Sequence, residues 1–246
     1  MNIVGIIPAR FASTRLMGKL LANIGGKPVI QHTYESLSKA KLMNDVIIAV
    51  DDQRLYYVVR SFGAKAKLTP KDIMTSNERV AYVASTMSAD VFLNIPGAQP
   101  FINPKMIDEV IEPHLFDPEI EITTLAKQID TVEEMKSTSI PKVVFDYNNH
   151  ALYFSYSPIP FVKDARTNIE KVLSAEIFKH IEVTAFSEKS IDIVSKLTPT
   201  DLERVEKIEH LRLLEHGLKI KIVITEQESL SIYTQSDLEV ARSFYN

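Results

Sequence analysis

The sequence predicts an α/β fold: a three-layer sandwich with a mostly parallel central sheet. Three observations predict it. The chain opens with a buried strand followed by a helix, and a second strand and helix and a third strand follow within the first 100 residues. Alternating strands and helices are typical of parallel sheets covered on both faces. A length of 246 residues, with 45% hydrophobic and 24% charged residues, suits a single domain over 1–246.

The first strand, loop and helix have the clearest signals in the sequence. Residues 2–7 form an apolar run closed by Pro8, as expected of a strand buried on both faces. Residues 8–27 are polar, basic and punctuated by glycine, which indicates a long loop. Pro28 then occupies a position that a first helical turn tolerates. The helix it begins has an apolar stripe of Val29, Ile30, Tyr34 and Leu37.

Two further strands follow the same pattern. Residues 46–50 end at Asp51 and Asp52, and residues 90–93 end at Asn94. Ligands bind such sheets in the crevice outside the carboxyl ends of the strands. The loops after Ile7, Val50 and Leu93 are therefore expected to share one site.

The second half of the chain departs from this rhythm. Residues 142–145 and 151–155 flank an Asn-rich turn and predict a β-hairpin, which we place in a subdomain at about 130–195. A long helix over 198–217 is expected from an apolar stripe that Gly217 ends. That stripe comprises Leu202, Val205, Ile208, Leu211 and Leu214. A half-buried strand over 219–224 precedes a last helix, which a capping box at Thr234 and Asp237 opens.

The distribution of charge excludes some partners. The net charge is −4, yet residues 1–34 carry Arg10, Arg15, Lys19 and Lys27 and no acid, so the rest of the chain carries −8. Binding to long nucleic acid needs a broad basic face, which this chain lacks. A local concentration of positive charge suits a small, multiply charged anion such as a nucleoside triphosphate.

Composition also bounds the chemistry and the compartment. The chain has no cysteine, which excludes disulfides, thiolate metal sites and cysteine nucleophiles. Its first nine residues are too short for a secretory signal, and no apolar run approaches the roughly 18 residues of a membrane span. We expect a soluble, cytoplasmic protein with no membrane or nucleic-acid partner.

The strongest chemical motif is the segment PARFASTRLMGK at 8–19. It places three cations (Arg10, Arg15, Lys19) and two hydroxyls (Ser13, Thr14) directly after a buried strand. Arginine offers a planar fork for phosphate oxygens and lysine a movable point charge. The spacing is not that of a Walker loop. A solvated basic loop is the alternative, and the position after the strand favours phosphate binding.

The sequence resembles the 3-deoxy-manno-octulosonate (KDO) cytidylyltransferases. The resemblance lies in IIPARFASTRLMGKLL, IGGKPVIQHTYE, VDDQR, LTPKDIMTSNERVAYV, NIPGAQPFINP, PKVVFDYNNHALYFSYSPIPF, FKHIEV and IEHLRLLEHGLKIKI. It implies a sandwich of the nucleotide-diphospho-sugar transferase type, with a parallel-sheet core that activates CTP with Mg²⁺. It also implies a hairpin-containing subdomain that forms a homodimer. It also implies a sugar acid that attacks the α-phosphate and releases pyrophosphate, giving CMP-KDO for lipopolysaccharide.

The resemblance also implies roles for residues. Nucleotide binding would fall to Pro8, Ala9, Arg10, Ser13, Arg15, Lys19, Ser76, Arg79 and Gly97. Within that set Arg15 and Lys19 would be catalytic. The sugar acid would face His180, Glu209 and His210. Each assignment has an ordinary structural alternative. For His180 it is a half-buried histidine whose hydrogen bonds the main chain satisfies. For Glu209 and His210 it is a boundary pair on a solvated helix face, and for Asp51 and Asp52 at the predicted crevice it is a turn.

The departures from the family pattern concern metal binding first. Ala98 and Tyr233 stand where the family has its two magnesium-binding aspartates, so no metal-binding side chain is assigned. Further departures are Met17 for proline, Tyr156 for arginine, and Glu182 and Thr184 within a His-x-Gly-Ile-Tyr pattern.

Two explanations fit the lost aspartates. Either the nucleotide brings its own magnesium, with Asp51, Asp52 or Gln99 as weak substitutes, or the chain is a nucleotide-binding paralogue or partner subunit that lost the reaction. A changed sugar specificity would not by itself explain the lost metal ligands.

Overall fold

The computed structural model describes residues 1–11 and 18–245. The predicted contacts of Ser13 and Arg15 therefore lie outside the described residues. The strands are β1 Ile3–Ala9, β2 Asn23–Ile24, β3 Lys27–Pro28, β4 Asp45–Val50, β5 Lys65–Leu68, β6 Val91–Asn94, β7 Ile122–Gln128, β8 Lys142–Phe145, β9 Ala151–Ser155, β10 Phe178–Ser187 and β11 Lys221–Ile224. The α-helices are α1 Val29–Leu37, α2 Gln53–Ser61, α3 Ser76–Ala84, α4 Pro104–Phe116, α5 Val132–Lys136, α6 Asn168–Ser174, α7 Glu188–Val194, α8 Asp201–Glu206, α9 Glu209–Glu215 and α10 Gln235–Ser243. A short 3₁₀ helix covers Lys19–Leu21.

A mixed sheet forms the centre of the molecule and confirms the predicted α/β class. Its main path runs β11-β7-β10-β6-β1-β4-β5 among the described residues. Along this path β10 alone runs antiparallel to its neighbours β6 and β7, and the other pairs are parallel. The carboxyl ends of β1, β4 and β6 consequently meet at one edge, as the sequence predicted.

Strand β1 shows why helices cover both faces. Ile3 and Ile7 belong to one apolar cluster, whereas Val4 and Ile6 belong to another. Side chains alternate between the faces of a strand, so β1 contributes to two cores at once. The first cluster includes side chains of α1, α2, α4 and α10, and the second includes side chains of α3, α7 and α9.

The predicted hairpin is confirmed. Strands β8 and β9 pair antiparallel, and the Asp146 carboxylate accepts the backbone N–H groups of Asn148 at 2.9 Å and His150 at 2.8 Å. Strand β8 also pairs with β10, so the hairpin continues the central sheet. Ile129, Met135 and Ile177 form a small separate apolar cluster. The subdomain at about 130–195 stays a prediction.

The single long helix predicted over 198–217 is wrong. The chain forms two short helices, α8 and α9, with Lys207 between them in the left-handed region at φ 58°. Leu202 and Val205 of the predicted stripe are exposed, Val205 by 81%, while Ile208 and Leu211 are buried. The break turns α9 so that its own apolar side chains pack against the sheet.

A buried ion cluster fixes both short helices to α3. The Arg212 guanidinium on α9 donates from Nε and Nη2 to Glu203 of α8, at 2.8 and 2.7 Å, and from Nη1 to Glu78 of α3 at 2.8 Å. The pKa of Arg212 is raised: burial lowers it, but the hydrogen bonds that the guanidinium donates to the two carboxylates, and the negative charge of those carboxylates, outweigh that effect. The cluster holds α8 and α9 beside the strand ends that form the site.

The last helix confirms the predicted capping box. The Thr234 side chain accepts the Asp237 N–H, and the Asp237 carboxylate accepts the N–H groups of Tyr233 and Thr234. This fixes the loop that carries Tyr233. Among the described residues, none of the helices is both long and apolar enough to traverse a bilayer.

Candidate active site

A cavity of about 390 Å³ lies at the carboxyl ends of β1 and β6. Six predicted nucleotide-binding residues line it: Pro8, Arg10, Lys19, Ser76, Arg79 and Gly97. Glu209 and His210, predicted to face the acceptor, line it as well. Ala9 is fully buried at the end of β1 and is not part of the wall.

Arg10 fixes the end of β1 to the loop that precedes α3. Its Nη1 donates to the Met74 carbonyl at 3.0 Å, and its Nε lies 3.8 Å from Oδ2 of Asp51. The same carboxylate accepts the Phe11 N–H at 2.9 Å. Carboxylates therefore balance part of the basic charge that the sequence places in residues 1–34. Asp51 lies beside Arg10, and Glu35 pairs with Lys27 at 2.7 Å.

Lys19 comes from the short 3₁₀ helix that follows Gly18, a glycine with the left-handed φ of 68° that favours this residue. Its Nζ donates to the Ile232 carbonyl at 3.2 Å and lies 5.9 Å from the centre of the Tyr233 ring. The ammonium group is thus held in the cavity wall at the loop before α10.

Arg79 on α3 is fully buried and holds the loop 69–73. Its Nη1 donates to Thr69 Oγ1 and to the Pro70 carbonyl, and its Nη2 donates to the Ile73 carbonyl at 2.7 Å. Burial lowers the pKa of the guanidinium, and the negative charge of Asp51 opposes this. The structure gives Arg79 a clear role in positioning the wall of the cavity.

Ser76 and Glu209 are brought together, although 133 residues separate them. The Glu209 carboxylate accepts the N–H groups of Ser76 and Asn77, both at 2.8 Å, and the Ser76 hydroxyl at 3.0 Å. Burial raises the pKa of Glu209, while the Asn77 and Ser76 donors lower it. An internal carboxylate therefore caps the N-terminus of α3.

Asn94 belongs to the same network, and sequence reasoning did not select it as a functional residue. Its Nδ2 donates to Ser76 Oγ at 3.0 Å and to Asn77 Oδ1 at 2.7 Å, and its Oδ1 is buried with no partner among the described residues. The available signal was its place as the polar residue that ends β6 at the crevice.

His180 and His210 form a buried pair. Their ring centres lie 4.4 Å apart in an edge-on arrangement, and both rings contact Phe154. Nε2 of His180 hydrogen-bonds with Thr124 Oγ1 at 2.8 Å, and Nε2 of His210 with Thr184 Oγ1 at 2.7 Å. Burial lowers the pKa of His210 to about 4, and burial with the neighbouring His210 lowers that of His180 well below its ordinary value. Both rings are therefore uncharged at pH 7 and offer neutral hydrogen-bonding groups.

A second cavity of about 300 Å³ lies beside the first. His180 lines this second cavity, so the two histidines stand in the wall between them. Among the described residues Glu182 alone lines both cavities. Its Oε2 accepts the Tyr233 phenol at 2.9 Å, and burial with the charge of Glu182 raises the pKa of Tyr233 well above its ordinary value. Tyr233 is therefore a neutral donor that orients Glu182.

The two positions where the resemblance expects aspartates do lie together. The Ile232 N–H donates to the Ala98 carbonyl at 2.8 Å, which brings Tyr233 next to Ala98. A methyl group and a neutral phenol do not offer the hard anionic oxygens that Mg²⁺ prefers. Over residues 1–11 and 18–245, no three acidic or histidine side chains gather in a group that could hold a metal ion. The side chains present do not fit a protein-held magnesium ion.

The suggested substitutes do not change this conclusion. Asp51 is engaged with Phe11 and Arg10. Asp52 accepts the Arg54 N–H as the N-cap of α2 and pairs with the Arg54 guanidinium at 2.8 Å. Gln99 is buried. None of the three substitutes lines the cavity.

Comparisons with known proteins agree with this geometry. A sequence family described as cytidylyltransferase matches residues 4–220. The 3-deoxy-manno-octulosonate cytidylyltransferase of Geobacter sulfurreducens is 42% identical over 243 residues, covering 97% of each chain. The same enzyme of Pelobacter propionicus is 43% identical over 246 residues, covering 98% of this chain and 96% of its own. A solved CMP:2-keto-3-deoxy-manno-octonic acid synthetase in complex with CTP superimposes with a TM-score of 0.90 at 32% identity, covering 99% of this chain and 98% of the other.

Proposed function

The chain belongs to the cytidylyltransferase family, and we propose that it transfers CMP from CTP to a 3-deoxy-manno-octulosonate-type sugar acid, with release of pyrophosphate, for lipopolysaccharide synthesis. The observation that carries this proposal is the cavity at the ends of β1 and β6, where Arg10 and Lys19 face one space together with Glu209 and His210. Similarity to relatives of that name along nearly the full chain supports it.

The cations of the cavity suit the phosphate part of the reaction. As the acceptor hydroxyl attacks the α-phosphorus, the bond from that phosphorus to the bridging oxygen of the β-phosphate breaks, and negative charge collects on the departing pyrophosphate. Arg10 and Lys19 stabilise that charge most strongly inside a cavity, where water screens them less. Arg15 is proposed to act with them.

The acceptor side is proposed to use neutral hydrogen-bonding groups. His180 and His210 are uncharged at pH 7, and His180 Nδ1 is buried with no partner among the described residues. An imidazole nitrogen of this kind can pair with a sugar hydroxyl. Glu209 is committed to α3, so we assign it the positioning of the acceptor wall.

The direct test is an assay with purified protein, CTP, KDO and Mg²⁺. Pyrophosphate release together with CMP-KDO in the mass spectrum is the expected result, and UTP in place of CTP measures the base preference. CTP binding without any product would instead identify a nucleotide-binding protein that lost the reaction, which is the alternative explanation of the absent aspartates.

We propose that magnesium enters with the phosphates of CTP rather than on protein side chains, since the described residues offer no metal group. Replacing Ala98→Asp together with Tyr233→Asp places two carboxylates beside Glu182, which already faces this space. We expect magnesium-dependent turnover to rise by about tenfold or more.

The matched control is the double variant Ala98→Asn and Tyr233→Asn, which has similar shape without the charges. Turnover is measured against magnesium concentration for both double variants and the parent. Equal turnover in the charged and neutral variants would show that carboxylates at these positions do not limit the reaction.

We also propose a cytoplasmic homodimer that uses the subdomain at about 130–195. Large apolar side chains of this segment are unusually exposed: Tyr147, Leu152, Phe161, Ile169 and Leu173. Such a surface is typical of an interaction site. Light scattering behind gel filtration is expected to give twice the mass of 27.8 kDa, and a monomer would contradict the proposal.

A further inference from the structure

The backbone of Lys207 has an unusual conformation. Apart from glycine, the described residues have a positive φ only at Asn149 and Lys207, each at 58°. Asparagine in a hairpin turn tolerates this conformation, but lysine does so at a steric cost. Glycine is the usual residue where a helix ends in this way, as at Gly217 with φ 80°. A lysine at such a position suggests that its side chain is used.

The position of Lys207 gives that side chain a place to act. It follows α8 directly and precedes Glu209 and His210, and all three residues line the 390 Å³ cavity. The turn at Lys207 is also what separates α8 from α9. The lysine therefore belongs to the same stretch of wall as the residues predicted to face the acceptor.

The neighbouring carboxylates are already committed to other partners. Glu203 binds Arg212, and Glu209 caps α3. Glu206 accepts the Ser155 hydroxyl at 2.6 Å and the Tyr156 N–H at 3.1 Å. The Lys207 ammonium makes no hydrogen bond or ion pair within the described residues. By contrast, Arg10 and Arg79 donate to main-chain carbonyls.

We propose, building on the proposed function, that Lys207 binds the carboxylate of the sugar-acid acceptor and so selects acidic over neutral sugars. An ammonium group without an internal partner, in the acceptor wall of a cavity, matches a carboxylate ligand. The neighbouring position 156 has tyrosine where the resembling family has arginine, and Tyr156 and Lys207 are connected through Glu206.

The test compares Lys207→Gly with Lys207→Arg. Glycine suits φ 58° and removes the charge without straining the fold, whereas arginine keeps the charge. Dissociation constants for KDO, for its neutral methyl ester and for CTP are measured by calorimetry, and KM and kcat are measured by pyrophosphate release. We expect Lys207→Gly to weaken KDO binding and raise its KM by about tenfold or more. Ester and CTP binding are expected to stay unchanged, and Lys207→Arg to restore KDO binding within about threefold.

Each other outcome overturns the inference. Equal losses for acid and ester would show that Lys207 does not recognise the carboxylate, and a comparable loss for CTP would assign it to the nucleotide. A parent protein that binds acid and ester alike would also contradict it. A different result would contradict the proposed function alone: KDO binds with the expected dependence on Lys207, but no pyrophosphate is released.

Discussion

Replacing Lys19 with alanine is expected to lower kcat/KM for CTP by about 100- to 1,000-fold. The Lys19 ammonium stands in the cavity wall, held at the Ile232 carbonyl, and is proposed to neutralise the charge that develops on the phosphates. Loss of one preorganised donor to such charge costs that much in several enzymes. Initial rates at varied CTP, with CTP and cytidine binding measured alongside, check the prediction. Binding of CTP should weaken far more than binding of cytidine.

Lys27 provides a matched control for charge. It belongs to the same acid-free segment, but it pairs with Glu35 at 2.7 Å and does not line the cavity. Lys27→Ala should leave kcat/KM within about twofold, because an exposed pair contributes little. Equal losses in the two variants would mean that the net positive charge of the segment matters, and not a contact from Lys19.

Replacing Arg212 with alanine is expected to lower the free energy of unfolding by about 3–5 kcal/mol. The arginine side chain is 6% exposed between Glu203 and Glu78, so its removal takes the partner from the buried Glu203 carboxylate and from the partly exposed Glu78 carboxylate. Urea unfolding followed by circular dichroism measures the loss. Arg204→Ala is the control, because the pair of Arg204 with Asp201 is exposed and should contribute less than about 1 kcal/mol.

The effect of Arg212 should depend on pH in a defined direction. Burial raises the pKa of Glu78, but the hydrogen bond and charge of Arg212 outweigh it, so the folded-state pKa lies below its ordinary 4.5. The stabilisation from this pair is complete above pH 4.5 and is lost as the pH falls through the lowered value. The difference between Arg212→Ala and the parent should therefore shrink in acid. A constant difference would show that Glu78 does not take part.

Local patterns predicted the elements that are apolar throughout or begin with a specific cap. Strand β1, strand β6, the Asn-rich hairpin and the capping box at Thr234 all follow from short runs of sequence. The prediction of one helix over 198–217 was wrong because the apolar residues keep a helical spacing across Lys207, where the helix breaks. The Arg212 cluster and the packing of Leu211 on the sheet are tertiary contacts, and no local pattern carries them.

The candidate site, too, was predictable only in part. Its position at the strand ends follows from the order of strands and helices, and the motif at 8–19 supplied Arg10 and Lys19. The partnership of Asp51 with Arg10 was not predictable, because it joins residues that are distant in sequence. Glu182 and Lys207 were not selected either, since their roles depend on the cavity that several separate segments enclose. Asn94 was not selected although its place at the end of β6 was a signal in the sequence.

The Glu209 carboxylate, which accepts the first N–H groups of α3, has a consequence for how CTP affinity responds to salt. In many phosphate sites a helix start supplies unpaired amides and a favourable dipole, but here an internal anion already neutralises that end. Attraction for the nucleotide must then come mainly from the ammonium and guanidinium groups of the crevice. Dissolved ions screen such groups, so the dissociation constant for CTP should increase steadily with ionic strength.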